Sequence, residues 1–179
     1  MPLPDLRQVV KKGGTILQQQ ARPVEDERTE FKAAFEWDSR KRARNPDLRF
    51  GSLKTVAAFL NSQGGTLYLG LDDSGAPVGI REDLALIEDE HPEDVFQNRF
   101  REFLKNSLDP MPLSNVASRF QGSDGRRVCV VEVQPFQGVT YLVYKDKSGQ
   151  QREGVFVRDG NRTIELKGRA RDQFVVSRN

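Results

Sequence analysis

The chain has 179 residues, enough for one domain with a real core, and its 36% hydrophobic content excludes a chain disordered by composition. Lys and Arg number 28 against 26 Asp and Glu, so a net charge of +2 does not by itself announce a polyanion binder. One cysteine, Cys129, excludes an internal disulfide, and with one histidine, His91, a zinc site is not expected. No run nears the roughly 18 apolar residues of a membrane span, and Met-Pro-Leu-Pro lacks the basic start and apolar middle of a signal peptide. A cytoplasmic protein with no membrane association is expected.

Residues 1–24 read as an N-terminal helical arm or linker. Leu6, Val9 and Val10 point inward over 4–20, and Gly13 and Gly14 interrupt the pattern. Residues 28–36 alternate as a strand, with Phe31, Ala33 and Phe35 on one face and Glu30, Lys32 and Ala34 on the other. From Asp38 to Arg49 the apolar pattern stops. Asn45-Pro46-Asp47 reads as a turn and the segment as a basic loop. Ser52 is a credible N-cap for a helix that buries Leu53, Val56, Ala57 and Leu60, and Gly64-Gly65 stop it. In the next strand Leu67, Leu69 and Leu71 alternate inward, which assigns Thr66, Tyr68, Gly70 and Asp72 to the opposite face. Asp73-Ser74-Gly75 turns the chain, and Val78-Gly79-Ile80 pairs back as a hairpin.

A second helix opens at Pro92-Glu93-Asp94, with acid in its first turn as the helix dipole prefers. It buries Val95, Phe96, Phe100, Phe103 and Leu104 and ends at Asp109-Pro110. Strands are expected at 115–120, 127–134, 140–145, 153–158 and 163–166, and 168–179 reads as a short basic tail. The fold class is α+β, a mostly antiparallel mixed sheet with two principal helices.

Glu25, Glu30 and Lys32 lie on or beside one strand face, and Asp72 ends another strand. If those strands are neighbours, three carboxylates converge, and a hard oxygen-seeking cation, Mg²⁺ or Mn²⁺, is the natural mediator of their repulsion. Such an ion polarises a phosphate and activates water, with Lys32 neutralising developing charge. The plain alternatives are that Glu30 and Lys32 solvate an edge strand and that Asp72 serves a turn. Arg40, Lys41, Arg42 and Arg44 form the clearest basic patch, read as phosphate contact, as a solvated loop or as a nuclear signal. Arg158 and Arg162 flank a tight turn and extend the basic surface or merely solvate it. Trp37 and Tyr68 are base-stacking or packing residues. Cys129 is expected to pack in a strand and His91 to lie on the surface. Gly64-Gly65 lacks the lysine and spacing of a phosphate loop.

The strings EDERTEFK, LKTVAAFLNSQGGTLYLGLDDSGAPVGI and GVFVRDGNRTIEL, in that order, resemble the Schlafen core, also described as a divergent AlbA-like DNA-binding domain. The likeness covers about residues 20–166, and the domain is placed at 25–167 as a bacterial-type, single-lobe member. The resemblance implies a nucleic-acid partner, tRNA-like RNA or DNA. In nuclease-active relatives it implies a three-carboxylate metal site for endoribonuclease chemistry. The family acids fall on Glu25, Glu30 and Asp72, with Glu27 if the register slips, and the family lysine falls on Lys32. Animal relatives place two lobes in one chain, so a homodimer is implied here. This chain departs from the pattern at Gly138-Val139, where many relatives have a basic residue before a proline, and in lacking zinc-binding cysteines. A non-catalytic DNA- or RNA-binding regulatory module is the alternative. A nucleotide-binding regulator is a further one, without a P-loop to support it.

Overall fold

The computed structural model describes residues 24–178. The helical arm expected over 4–20 lies outside the described residues. In chain order the elements are β1 (Thr29–Lys32), β2 (Trp37–Asp38), β3 (Ala43–Arg44), α1 (Pro46–Leu60), β4 (Gly65–Leu69), α2 (Arg81–Ala85), α3 (Pro92–Ser107), β5 (Leu108–Asp109), β6 (Val116–Ser123), β7 (Arg126–Val133), β8 (Tyr141–Lys145), β9 (Gln151–Asp159), β10 (Arg162–Leu166) and α4 (Gly168–Ser177). One four-stranded sheet has the order β1-β4-β7-β6, another the order β10-β9-β8-β5, and β2-β3 is a separate two-stranded hairpin. Only the β1–β4 pair is parallel within these sheets. The class is therefore α+β, with α1 and α3 as the long helices.

α1 starts earlier than the sequence pattern suggests. Asn45 is its N-cap, accepting a hydrogen bond from the Asp47 N–H, and Pro46 sits in the first turn, where its missing N–H costs nothing. The expected turn at 45–47 is thus a helix start. Ser52 is no cap: it is fully buried, and its hydroxyl donates back to the Leu48 carbonyl one turn earlier. α1 packs against strands of both sheets, and Val56, Ala57, Ala58, Phe59 and Leu60 are fully buried. α3 adds Phe96, Phe100 and Leu104 to the same core. Phe35 meets Phe96, Phe100 and Phe103 there, at centroid distances of 5.5, 5.4 and 5.8 Å.

The strand expected over 28–36 ends at Lys32, and the two faces of the first sheet carry different clusters. Leu67 and Leu69 enter the main core, whereas Phe31 joins Val128, Leu71 and Tyr68 in a small second cluster. Leu71 was expected beside Leu67 and Leu69. Gly70, at φ +106°, breaks the two-residue alternation, so Leu71 turns to the opposite face. Val78-Gly79-Ile80 forms no strand; the Val78 and Gly79 N–H groups both donate to the Gly70 carbonyl, and α2 follows at once. The C-terminal tail is a helix, α4.

The segment after α1 couples the two sheets. The buried Asn61 amide donates to the Thr140 and Phe156 carbonyls at 2.8 and 3.0 Å, and its oxygen accepts the Thr140 N–H at 2.9 Å. A Cβ at Gly65 would lie 2.5 Å from Phe59 Cε1 and 2.7 Å from the Arg28 carbonyl oxygen, so only glycine admits both neighbours. Gly65→Ala is expected to lower the unfolding free energy by about 1–3 kcal/mol, the usual cost of overpacking. Gly51→Ala, in α1 with nothing nearer than Lys32 Cε at 4.0 Å, is expected to raise it by about 0.5–1 kcal/mol. Urea midpoints of the two variants check both signs.

Candidate nucleic-acid interface

β1 is an edge strand, and the carboxylates near it are occupied by structural duties. Glu25 Oε1 accepts the Phe31 N–H at 2.9 Å. Glu30 and Lys32 pair with Leu67 and Leu69 in the β1–β4 register and so share the face turned toward the main core. Glu30 is not on the open face the sequence suggests: its side chain is only 13% exposed. Lys32 Nζ pairs with Glu30 Oε1, and Arg158 Nη1 donates to Glu30 Oε2 at 2.9 Å.

Arg158 was expected on a basic surface, but its side chain is 0% exposed. Its guanidinium donates to the carbonyls of Asp26 (2.9 Å) and Glu27 (3.3 Å), to Thr163 Oγ1 (2.9 Å) and to Glu30, and it lies over the Phe59 ring at 5.1 Å. A phosphate cannot reach it. Arg162, across the turn, is exposed and pairs with Asp159 at 3.2 Å.

Asp72 caps a turn. Its Oδ1 accepts the Ser74 N–H and hydroxyl and the Ala76 N–H, at 2.9, 2.7 and 3.0 Å. The same arrangement recurs where β8 meets β9: Asp146 Oδ1 accepts the Ser148 N–H and hydroxyl and the Gln150 N–H, at 2.9, 2.6 and 3.0 Å. An Asp-x-Ser-Gly tetrapeptide thus builds this turn wherever it falls, without any catalytic requirement. Among the described residues no three Asp, Glu, His or Cys side chains gather as a possible cation site. Glu25, Glu30 and Asp72 are therefore not brought together as a ligand set. Glu27 lies exposed, with its carbonyl bound to Arg158. As arranged, this donor set does not fit Mg²⁺ or Mn²⁺.

The basic segment 38–44 is a hairpin rather than a loop, and the sequence missed what anchors it. β2 pairs with β3 through Trp37 with Arg44 and Asp38 with Ala43. Asp38 accepts the Arg40 and Lys41 N–H groups at 3.0 and 3.1 Å and the Asn45 amide at 3.0 Å. These donors, the Lys41 N–H foremost, hold its carboxyl below the ordinary range. At the hairpin's root two buried acids work together. Glu36 faces three guanidinium groups, Arg49 at 2.8 Å, Arg99 at 3.4 Å and Arg44 at 3.7 Å. Asp83 receives the N–H groups of Phe35, Glu36 and Trp37 at 3.1, 2.8 and 3.0 Å. No periodic signal marks Glu36 or Asp83; only the flanking of Glu36 by Phe35 and Trp37 hints at burial, and nothing local marks Asp83. The outcome is that Arg40, Lys41 and Arg42 project into solvent. Among the described residues the Arg40 and Arg42 guanidiniums have no ion-pair partner. Cys129, in β7, is buried as expected, and burial pushes its thiol up to about 12.

Two measurements check these assignments. Arg158→Met leaves Glu30 and two chain carbonyls without their partner and is expected to cost about 3 kcal/mol in guanidinium chloride unfolding, whereas Arg162→Met should stay within about 0.5 kcal/mol. Burial pushes the Asp83 carboxyl above its ordinary value against its three N–H donors. The folded state then holds that proton more tightly than the unfolded chain. Asp83 contributes stability that is full below the unfolded value of about 3.9 and is lost as pH rises through the raised one. The stability of the wild type relative to Asp83→Asn should fall across that window; a pH-independent difference would contradict the assignment.

The family model described as Schlafen, AlbA_2 matches residues 25–167. Comparison with curated proteins finds no match. Among solved structures, the DIP2311 protein of Corynebacterium diphtheriae is similar in fold, with a TM-score of 0.52 at 18% identity. The likeness covers 83% of this chain but only 26% of that one, so this chain spans about a quarter of its length. The α+β architecture and the matched family agree with the resemblance carried by the Glu-Phe-Lys, Asn-to-Gly-Gly and Gly-x-Asp-Asp segments, and a nucleic-acid-binding domain is what the family suggests. The chain belongs to the Schlafen AlbA_2 family.

Proposed function

We propose that this domain binds nucleic acid by phosphate contact through the β2–β3 hairpin. The observation that carries the reading is the hairpin's charge lay-out. Its acids, Asp38 at the turn and Glu36 at the root, are consumed by backbone N–H groups and by Arg44, Arg49 and Arg99. Arg40 and Arg42 remain as solvent-facing cations on a strand pair held rigid by Asp83. Unpaired guanidiniums on a fixed backbone gain from displacing the counterions of a polyanion and favour its backbone over any one sequence. The double variant Arg40→Ala, Arg42→Ala is expected to weaken binding of both duplex DNA and tRNA about tenfold or more. It should also reduce the slope of log K against log salt by roughly 0.9 per lost duplex-DNA contact. Equal binding and an equal slope in the variant would dismiss the hairpin as the contact surface.

Metal-dependent cleavage of structured RNA such as tRNA is a narrower reading, centred on the acids at and before β1 rather than on the hairpin. The placing of Glu30 beside Lys32, with Glu25 held on the backbone of the same strand, is what favours it. The engagement of both Glu30 oxygens by Lys32 and Arg158 weighs against a ready ligand set. Incubation of the protein with tRNA in Mn²⁺ and in chelator separates the two. Retained complex with no fragments in either buffer supports binding alone. Manganese-dependent fragments that disappear in Glu25→Gln, with the complex retained, would establish the nuclease.

A further inference from the structure

A cleft of about 570 Å³ opens beside the hairpin, between the chain at Lys32–Ala34, the first turn of α1 at Leu48 and the segment from Val78 to Asp83. Its size lies within the roughly 300–1,000 Å³ range of small-ligand sites. Trp37 lines it, and this is the chain's single tryptophan. The backbone of Trp37 is fixed twice, by its N–H on Asp83 and by pairing with Arg44. Its side chain is less committed. The residue is half-buried, and among the described residues no other ring packs on the indole and no acceptor takes the indole N–H. Other walls are apolar: Ala33, Ala34, Leu48 and Val78, the last 40% exposed.

Charge is distributed unevenly around this cleft. Arg40 lines it with no ion-pair partner, and Lys32 lines it while paired with Glu30. The carboxylates in its walls are Asp38, Glu82 and Asp83. Asp38 and Asp83 are held by backbone N–H groups, and Glu82 is exposed. A phosphate placed deep among these acids would be repelled. A neutral, flat, aromatic group carrying an anion on its outer side suits the arrangement. A nucleobase with its own backbone phosphate has that form. Its face could stack on the indole while its amino groups donate to Glu82 and its phosphate meets Arg40.

We propose that this cleft receives one unstacked base of the bound strand, with Trp37 as the stacking platform and Arg40 as the phosphate contact. The inference rests on the nucleic-acid reading above and deepens it: it assigns single-stranded or unpaired segments as the preferred substrate class, because a base enters only when it leaves its stack.

The sole tryptophan makes the test direct. Four probes are titrated: a short single-stranded oligonucleotide, the same sequence as a blunt duplex, a strand of equal length with abasic sugars, and free AMP. Anisotropy of a labelled strand reports complex formation, and Trp37 emission reports stacking. The expected result is that all three strands form salt-sensitive complexes while only the base-bearing single strand quenches Trp37. Trp37→Leu, with its fold checked by circular dichroism, should lose about tenfold in affinity for that strand and so remove its advantage over the abasic one. Strand binding with unchanged Trp37 emission overturns the cleft assignment and leaves the hairpin reading standing. Quenching by AMP with no strand complex overturns both and marks a nucleotide site. No complex with any strand and no quenching also ends both. The emission arms need no variant, so a Trp37→Leu chain that fails to fold leaves the test intact.

Discussion

The architecture turns on one buried cation. Arg158 leaves β9 and reaches the segment before β1, where it satisfies two chain carbonyls, one oxygen of Glu30 and the hydroxyl of Thr163, with its plane over Phe59. A guanidinium removed from water is tolerated only when its donors are met, and here four hydrogen bonds and a ring face meet them. The contact joins elements about 130 residues apart in sequence and ties the edge strand of one sheet to the second strand of the other. Its backbone N–H also takes Ser62 Oγ at 2.9 Å, beside the Asn61 amide that spans to Thr140 and Phe156. The end of α1, β1 and the second sheet therefore form one interlocked unit.

That lock decides the meaning of Glu30. A carboxylate shared between Lys32 and a wholly buried arginine is a structural counter-ion first. Any chemistry asked of it must displace one of those partners, and displacing Arg158 would expose a buried charge. The Glu36 cluster has the opposite balance. One buried carboxylate gathers three guanidiniums that are each partly exposed, so the local sum stays positive and faces solvent. The protein thus spends acid inside to orient base outside, and the field a polyanion meets comes from residues 40–49 and Arg99 rather than from the net charge of the chain.

Much of this was legible in the sequence and some was not, for physical reasons. The aromatic face of α3 follows from period alone, and the strands 126–133 and 151–159 follow from short apolar runs bounded by glycine-bearing turns. Asn45-Pro46-Asp47 has two meanings, turn or helix start, and the residues after it lack a clean apolar stripe because α1 is covered on several sides at once; local pattern then picks the wrong boundary. Leu71 misleads because alternation assumes a regular strand, and one glycine at positive φ rotates everything beyond it. Arg158 misleads in the same way at the level of charge. An arginine beside an Asp-Gly-Asn turn looks solvated, and only its partners, distant in sequence, reveal a buried clamp. Asp72 is different: its local reading, a turn acid, is the contact seen, and the recurrence at Asp146 shows that four residues suffice to produce it.

The segments that make the family recognisable are largely those that close the fold. Glu30 and Lys32 flank Phe31 at the edge of the first sheet, Asn61 ties the end of α1 to the second sheet, Gly65 admits Phe59, and Asp72 ties its turn. A motif maintained by packing identifies an architecture, and an architecture hosts more than one activity. The hairpin cations and the indole of Trp37 belong to no such closure: the backbone around them is tightly fixed while their own side chains are left open. Arg40 and Arg42 have no ion-pair partner among the described residues, and no other ring packs on the half-buried indole. The nucleic-acid reading proposed above gives their arrangement a reason, because a fixed backbone lowers the entropic cost of binding.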